Sequence, residues 1–231
     1  MAKETEKKGL HILFTGDSLT DGNRYKKKDQ AWDLNHQMGH TYAYIINGIL
    51  GSMYPEKQFC FTAKGVSGNR ILDVYARNEV DLYPLKPDIL SILAGVNDGP
   101  GDRNNYQPTP KKKYEAIYRM LLQDVKEQLP DCKIILLEPF VCKAGKFGQD
   151  EAFPVWQEAI SGYGEVVKGL SEEFGTVFLP LQKLFDEKCA EFEPEYWCWD
   201  GVHPTENGHG LIAREWMRAM WGILGLPEAK I

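Results

Sequence analysis

The sequence predicts an α/β domain: one five-stranded parallel sheet covered by helices on both faces. Two observations predict it. Short apolar runs alternate with longer amphipathic ones along the chain, the pattern of parallel strands joined by helical crossovers. The short runs are apolar almost throughout, as strands buried on both faces must be. The chain has 231 residues, 43% of them hydrophobic. That length and composition suit one buried core, so a single domain over residues 1–231 is expected.

The elements follow in order. The run "HILFTG" from His11 is short, apolar and ends in glycine, a first strand. "TYAYIINGILGSMYP" from Thr41 carries apolar residues at helical spacing and stops at a proline. "QFCFTA" from Gln58 is the second strand, and "NRILDVYARNEV" from Asn69 reads as a helix. "PDILSILAG" from Pro87 is the third strand, apolar on both faces. "KKKYEAIYRMLLQDVKEQLP" from Lys111 has a 3.6-residue period and ends at Pro130. "CKIILLEPF" from Cys132 is the fourth strand. "VWQEAISGYGEVVKGLSEEFG" from Val155 is a helix weakened by glycines, "TVFLPL" from Thr176 the fifth strand, and "TENGHGLIAREWMRAMWGIL" from Thr205 the last helix. The crossovers are expected to be right-handed. The longest irregular stretches, 23–39 and 139–153, lie where ligand-binding loops of such sheets occur.

Charge and motifs exclude several functions. The formal net charge is −6, and the only basic runs of note are Lys26–Lys28 and Lys111–Lys113. Both read as solvated faces, so no nucleic-acid partner is expected. No phosphate-cradling glycine motif occurs, so nucleotide binding has no support. The cysteines at 60, 132, 142, 189 and 198 are odd in number and show no CxxC spacing. That suggests neither a disulfide framework nor a zinc site. Cys60 and Cys132 sit in apolar runs and read as buried small hydrophobes. His36 and His40, with Asp33 before them, have metal-ligand spacing, but the polar, glycine-bearing segment reads as a loop near the substrate instead. No cofactor or metal is expected. The charged N-terminus lacks a signal-like apolar region, and no apolar run is long enough to span a bilayer. A cytoplasmic protein without a membrane partner is therefore expected. The aromatic content, with 6 tryptophans, leaves room for a homo-oligomer.

In open α/β sheets ligands bind beyond the carboxyl ends of the strands. The first strand is followed there by "GDSLTDGN", the second by "KGVSGNR", and the third by "AGVNDGPG". "WDGVHPTENGHG" precedes the last helix. Ester cleavage needs an attacking hydroxyl, a base, an acid to orient that base, and donors for the oxyanion. Ser18 can attack, His203 can take its proton, and Asp200 can hold the other ring nitrogen. Residues three apart in a turn lie roughly 5–6 Å apart at Cβ, which suits that pair. The N–H groups of Ser18 and Gly68 and the amide of Asn97 can meet the oxyanion. A glycine at 68 lets the backbone approach the carbonyl without a Cβ in the way.

The blocks "GDSLTDGN", "GVSGN", "GVND" and "DGVHP" resemble the four blocks of the SGNH, or GDSL, hydrolase family. They occur in family order over residues 16–203. The resemblance implies a flavodoxin-like α/β/α sandwich, a nucleophile at Ser18, an acid–base pair at Asp200 and His203, and an oxyanion hole from Ser18, Gly68 and Asn97. "NRILD", "LEPF", "YGEVVKGLSEEFGTVFLPLQKLF" and "CWDGVHPTENGHGLIA" are further similar to intracellular acetylxylan esterases. That likeness implies a serine esterase removing small acyl groups, acetyl above all, from carbohydrates such as xylo-oligosaccharides.

Rival readings attach to single residues. Ser18 could cap a helix, and Asp200 and His203 could be turn residues; the blocks together favour catalysis. Ser67 reads as a turn residue, since a G-x-S-x-G elbow would need glycine where Asn69 stands. Asp98 reads as a loop brace and His209 as structural. Asp17 reads both as a brace and as a candidate substrate contact. Trp199 reads as a pocket wall and substrate contact, while Tyr196 and Trp197 divide evenly between sugar stacking and core. The alternatives at the level of function are a lysophospholipase or thioesterase of the same superfamily, or a non-catalytic carbohydrate-binding module. The polar loops favour a small acyl group over a long chain.

Overall fold

The strands form one parallel sheet in the order β2-β1-β3-β4-β5. They are β1 (His11–Gly16), β2 (Cys60–Ala63), β3 (Ile89–Leu93), β4 (Lys133–Leu137) and β5 (Val177–Leu179). The coordinates are a computed structural model that describes residues 9–26, 34–100, 107–149, 151 and 153–227. Lys27, Lys28 and Asp33 lie outside these residues. The strand order is the flavodoxin-like one. The helices are α1 (Ser18–Asp21), α2 (Tyr42–Met53), α3 (Ile71–Ala76), α4 (Asn78–Asp81), α5 (Lys111–Gln128), α6 (Gly145–Gly148), α7 (Phe153–Phe174), α8 (Leu181–Glu191), α9 (Pro194–Trp197) and α10 (Glu206–Met220). Among the described residues no helix is long and apolar enough to cross a membrane.

The apolar runs form strands because the sheet centre is dry. Register pairs Phe14 with Ser91 and Ser91 with Ile135 across the three middle strands, and β3 is buried along its whole length. The lone polar residue there, Ser91, accepts a hydrogen bond from Trp216 Nε1 at 3.0 Å. Trp216 is fully buried and packs on Phe14. Burying one large apolar side chain stabilises the fold by about 1.5–3 kcal/mol. Helix α2 packs on α10, while α3, α5 and α7 pack in series.

All five expected strands are present, and four other elements or residues differ from expectation. The run from Asn69 is broken at Arg77 into α3 and α4. Helix α7 runs unbroken through its glycines, and Gly164 makes room for Glu138: a Cβ there would meet Glu138 Oε1 at 2.6 Å. Helix α8 was not expected from its sequence. It is charged on most sides and is held by two buried residues, Leu181 and Phe185, with Phe185 stacked on Phe140 at 4.1 Å. Cys60, expected to be buried, is exposed. It opens β2, an edge strand whose pattern runs from exposed to buried, so one of its ends faces outward. Cys132 is buried.

Candidate active site

The turns after β1, β2 and β3 meet at one edge of the sheet, and backbone geometry makes them meet. Gly16 ends β1 at φ 149°, and a Cβ there would lie 2.0 Å from the Leu93 carbonyl oxygen of β3. Only glycine lets these strands exit so close together. The Asp17 carboxylate accepts from Leu19 N–H at 3.0 Å and so caps α1. Ser18 thus becomes the first residue of α1 rather than its cap. Its N–H is one of the helix-end donors that no turn of helix can satisfy.

The β2 turn is stitched onto this one. Val66 N–H donates to Gly16 O at 3.0 Å and Ser67 N–H to Asp21 Oδ2 at 2.8 Å, while Asn69 N–H donates to Val66 O at 3.1 Å. Gly68, at φ 82° between them, has no hydrogen-bond partner for its N–H among the described residues. Ser67 is a turn residue bound to Asp21. Arg77 fastens the same two turns, donating to Gly16 O at 3.0 Å, Thr15 Oγ1 at 3.1 Å and Asn69 Oδ1 at 2.8 Å. Nothing in the local pattern of a helical run marked Arg77 as this fastener.

From the β3 turn, Asn97 donates one amide hydrogen to Asn69 O at 3.1 Å, which leaves its second hydrogen to point elsewhere. Asp98 is fully buried and accepts from Ile71 N–H at 2.9 Å, at the start of α3. Its carbonyl accepts from Tyr163. Its bonds are those of a brace. Burial pushes its carboxyl up to about 6 despite the Ile71 bond.

The last segment, from Cys198 to Thr205, is clamped at its ends. Cys198 pairs with Pro204 across an isolated bridge, and Trp199 N–H donates to His203 O at 3.1 Å. Thr205 caps α10. Gly201 sits at φ 91°, and Cys142 N–H after β4 donates to its carbonyl at 2.8 Å. Inside this loop Asp200 Oδ1 accepts from Val202 N–H at 2.9 Å and His203 N–H at 2.7 Å. Its Oδ2 lies 2.8 Å from His203 Nδ1. Burial raises the Asp200 carboxyl, but these bonds outweigh it and hold the group at about 2. An ionised carboxylate only accepts, so Nδ1 carries the proton and Nε2 is free to accept. Nε2 lies 2.9 Å from Ser18 Oγ, across 185 residues of sequence. A hydroxyl held on the lone pair of an oriented imidazole can lose its proton to that ring as it attacks.

A cavity of about 250 Å³ opens over this pair. Ser18, Asp21, Asn23, His40, Trp199, His203 and His209 are among its walls. Trp199 is 60% exposed and lies nearly parallel to the His203 ring, with centroids 5.9 Å apart. Asp17 does not fit its expected contact with substrate. It is 1% exposed, does not line the cavity, and already holds Leu19 N–H. Burial lifts its carboxyl to about 7, against the opposing pull of Leu19 N–H and His203. The His36 ring lies tilted against Tyr25, centroids 4.7 Å apart, whereas His40 lines the cavity. Tyr196 is exposed, and Trp197 donates through its indole to Lys188 O.

Residues 14–211 match the GDSL-like lipase/acylhydrolase family, which is most of the chain. The chain belongs to the GDSL-like lipase/acylhydrolase family. As a GDSL-like acylhydrolase it is a serine-dependent hydrolase of carboxylic esters. An acetylxylan esterase of Geobacillus stearothermophilus is 34% identical over 216 residues, covering 91% of this chain and 93% of that one. The crystal structure of Axe2, an acetylxylan esterase of that organism, superposes with TM-score 0.79 at 32% identity, over 95% of this chain and 96% of that one. A structure described as a GDSL-like lipase of Parabacteroides merdae superposes with TM-score 0.84 at 35% identity, over 95% of this chain and 99% of that one. The fold of the GDSL-like acylhydrolase is therefore shared along nearly its whole length.

Proposed function

We propose that this acylhydrolase removes acetyl groups from hydroxylated alcohols, carbohydrates above all, through Ser18, His203 and Asp200. The observation that carries the reading is the continuous line from Ser18 Oγ to His203 Nε2 at 2.9 Å and from His203 Nδ1 to Asp200 Oδ2 at 2.8 Å. His203 takes the Ser18 proton as Oγ attacks the acetyl carbonyl carbon. Asp200 keeps the ring in the accepting tautomer and balances the imidazolium. Negative charge develops on the carbonyl oxygen. The N–H groups of Ser18 and Gly68 and the second amide hydrogen of Asn97 are the donors left over by the turns to meet it. His203 then returns its proton to the departing alcohol. Water, deprotonated by the same ring, cleaves the acetyl-serine ester and releases acetate.

The small acyl group is supported by the cavity. About 250 Å³ with Asp21, Asn23 and histidines in its walls offers little apolar surface to a long chain. The carbohydrate is supported by the exposed Trp199 face beside His203, since flat indoles stack well on sugar rings. The similarity to acetylxylan esterases points the same way. So do the structures of Axe2 described as catalytic mutants, in which a serine or a histidine is replaced by alanine.

Ser18→Ala is the test. The variant should fold, release no acetate from 4-nitrophenyl acetate or acetylated xylo-oligosaccharides, and escape labelling by a fluorophosphonate that labels the unaltered enzyme. A variant keeping most of the activity would remove Ser18 from the mechanism. Release of octanoate faster than acetate would replace the small acyl group with a long chain.

A further inference from the structure

His209 was read from sequence as a structural residue of the last helix, and half of its ring is one. It lies on α10 at 7% exposure, and its Nδ1 faces the N–H of Tyr42 at 3.2 Å. Tyr42 is the first residue of α2, whose cap residue Thr41 makes no side-chain capping bond. The ring therefore serves as an acceptor for a helix-end donor. A backbone N–H can only donate, so Nδ1 must be unprotonated. Burial, with His40 and His203 nearby, holds the ring neutral, its pKa down at about 3. A neutral imidazole that accepts at Nδ1 carries its one hydrogen on Nε2.

Among the described residues the ring's one hydrogen bond is the one at Nδ1, so Nε2–H has no protein acceptor there. The same ring lines the cavity over Ser18 and His203, beside His40 and Trp199. A ring that is 7% exposed, its tautomer fixed from behind, thus borders the reaction cavity. The oxyanion donors come from the turns after β1, β2 and β3. His209 instead belongs to α10, the helix that follows the His203 loop, and touches the start of α2. The departing oxygen must come within reach of His203 to be protonated, so the alcohol half of the ester lies on the His203 side.

We infer that His209 is a specificity-determining residue whose Nε2–H donates to an oxygen of the alcohol half of the substrate, a sugar hydroxyl next to the esterified one. The inference rests on the proposed site of acetyl transfer. An alcohol without such an oxygen leaves the donor unanswered, and a site that hydrogen-bonds a substrate oxygen selects against the analogue that lacks it.

Two variants separate this role from the structural one. In His209→Asn the side-chain oxygen takes the place of Nδ1 and keeps the Tyr42 bond, but no N–H reaches the position of Nε2. His209→Gln returns an amide N–H close to that position. Both are assayed with 4-nitrophenyl acetate, whose alcohol has no hydroxyl beside the ester, and with an acetylated methyl xyloside. The asparagine variant should lose about tenfold in kcat/KM on the xyloside, chiefly through KM, a single hydrogen bond to the ligand being lost. It should stay within about twofold on 4-nitrophenyl acetate, and the glutamine variant should recover part of the xyloside activity. An equal fall on both esters, or no fall on the xyloside, overturns the inference alone. An unaltered enzyme that cleaves 4-nitrophenyl acetate and ignores acetylated sugars overturns the carbohydrate reading, and this inference with it.

Discussion

Asp200→Asn changes the chemistry of the proposed acid while preserving its loop. The asparagine Oδ1 can still accept from Val202 N–H and His203 N–H, now at 2.9 and 2.7 Å from the carboxylate oxygen. Its Nδ2 then stands where Oδ2 is, 2.8 Å from His203 Nδ1. An amide N–H cannot accept, so the imidazole must turn its lone pair to Nδ1 and carry its proton on Nε2. That tautomer cannot take the Ser18 proton. The expected loss in kcat is on the order of 10⁴, about 5.5 kcal/mol of transition-state stabilisation. A separate effect falls on stability. The Asp200 carboxyl drops from 3.8 to about 2 on folding. At 1.36 kcal/mol per unit this is about 2 kcal/mol. A depressed carboxylate contributes its stability above its unfolded value and loses it as pH falls through the folded one. The variant should therefore be less stable at pH 7 by up to about that amount, with the gap closing from about pH 4 down towards pH 2. Burst and steady-state kinetics with 4-nitrophenyl acetate measure the first effect, and urea midpoints across that pH range the second. A variant with more than a tenth of the original kcat would refute the role given to the carboxylate.

Asn97→Ala removes one proposed oxyanion donor and should lower kcat by about 10²–10³ with little change in KM; a raised KM at unchanged kcat would make Asn97 a binding residue only. Asp17→Asn tests the buried carboxyl lifted from 3.8 to about 7. Between those values the folded chain binds the proton and the unfolded chain releases it, so this group's contribution to stability falls as pH rises through that window. Asparagine has no such charge. Its stability relative to the unaltered chain should rise by up to about 4 kcal/mol from pH 4 to pH 8, read from denaturant midpoints. A pH-independent difference would mean that Asp17 is ionised in the fold at all these values.

The strands were legible because burial on both faces writes itself locally, as in "ILSIL" and "KIILL". Helix α8 was illegible because only Leu181 and Phe185 anchor it, and their partner Phe140 lies far back in the chain. The exposure of Cys60 depended on β2 being an edge, which strand order decides and composition does not. Burial likewise moved Asp17 out of reach of substrate, and contacts with distant turns made Arg77 a fastener.

By itself the sequence determined the strands, the turns that follow them and the types of reactive side chain those turns carry, because hydrophobic period and glycine placement are local properties of the chain. Only the tertiary structure decided which atoms meet: Ser18 beside His203 across 185 residues, and the His209 ring in the cavity wall with Nδ1 on the Tyr42 amide. Distances, tautomers and burial depend on side chains brought together from remote segments, and no local pattern encodes them.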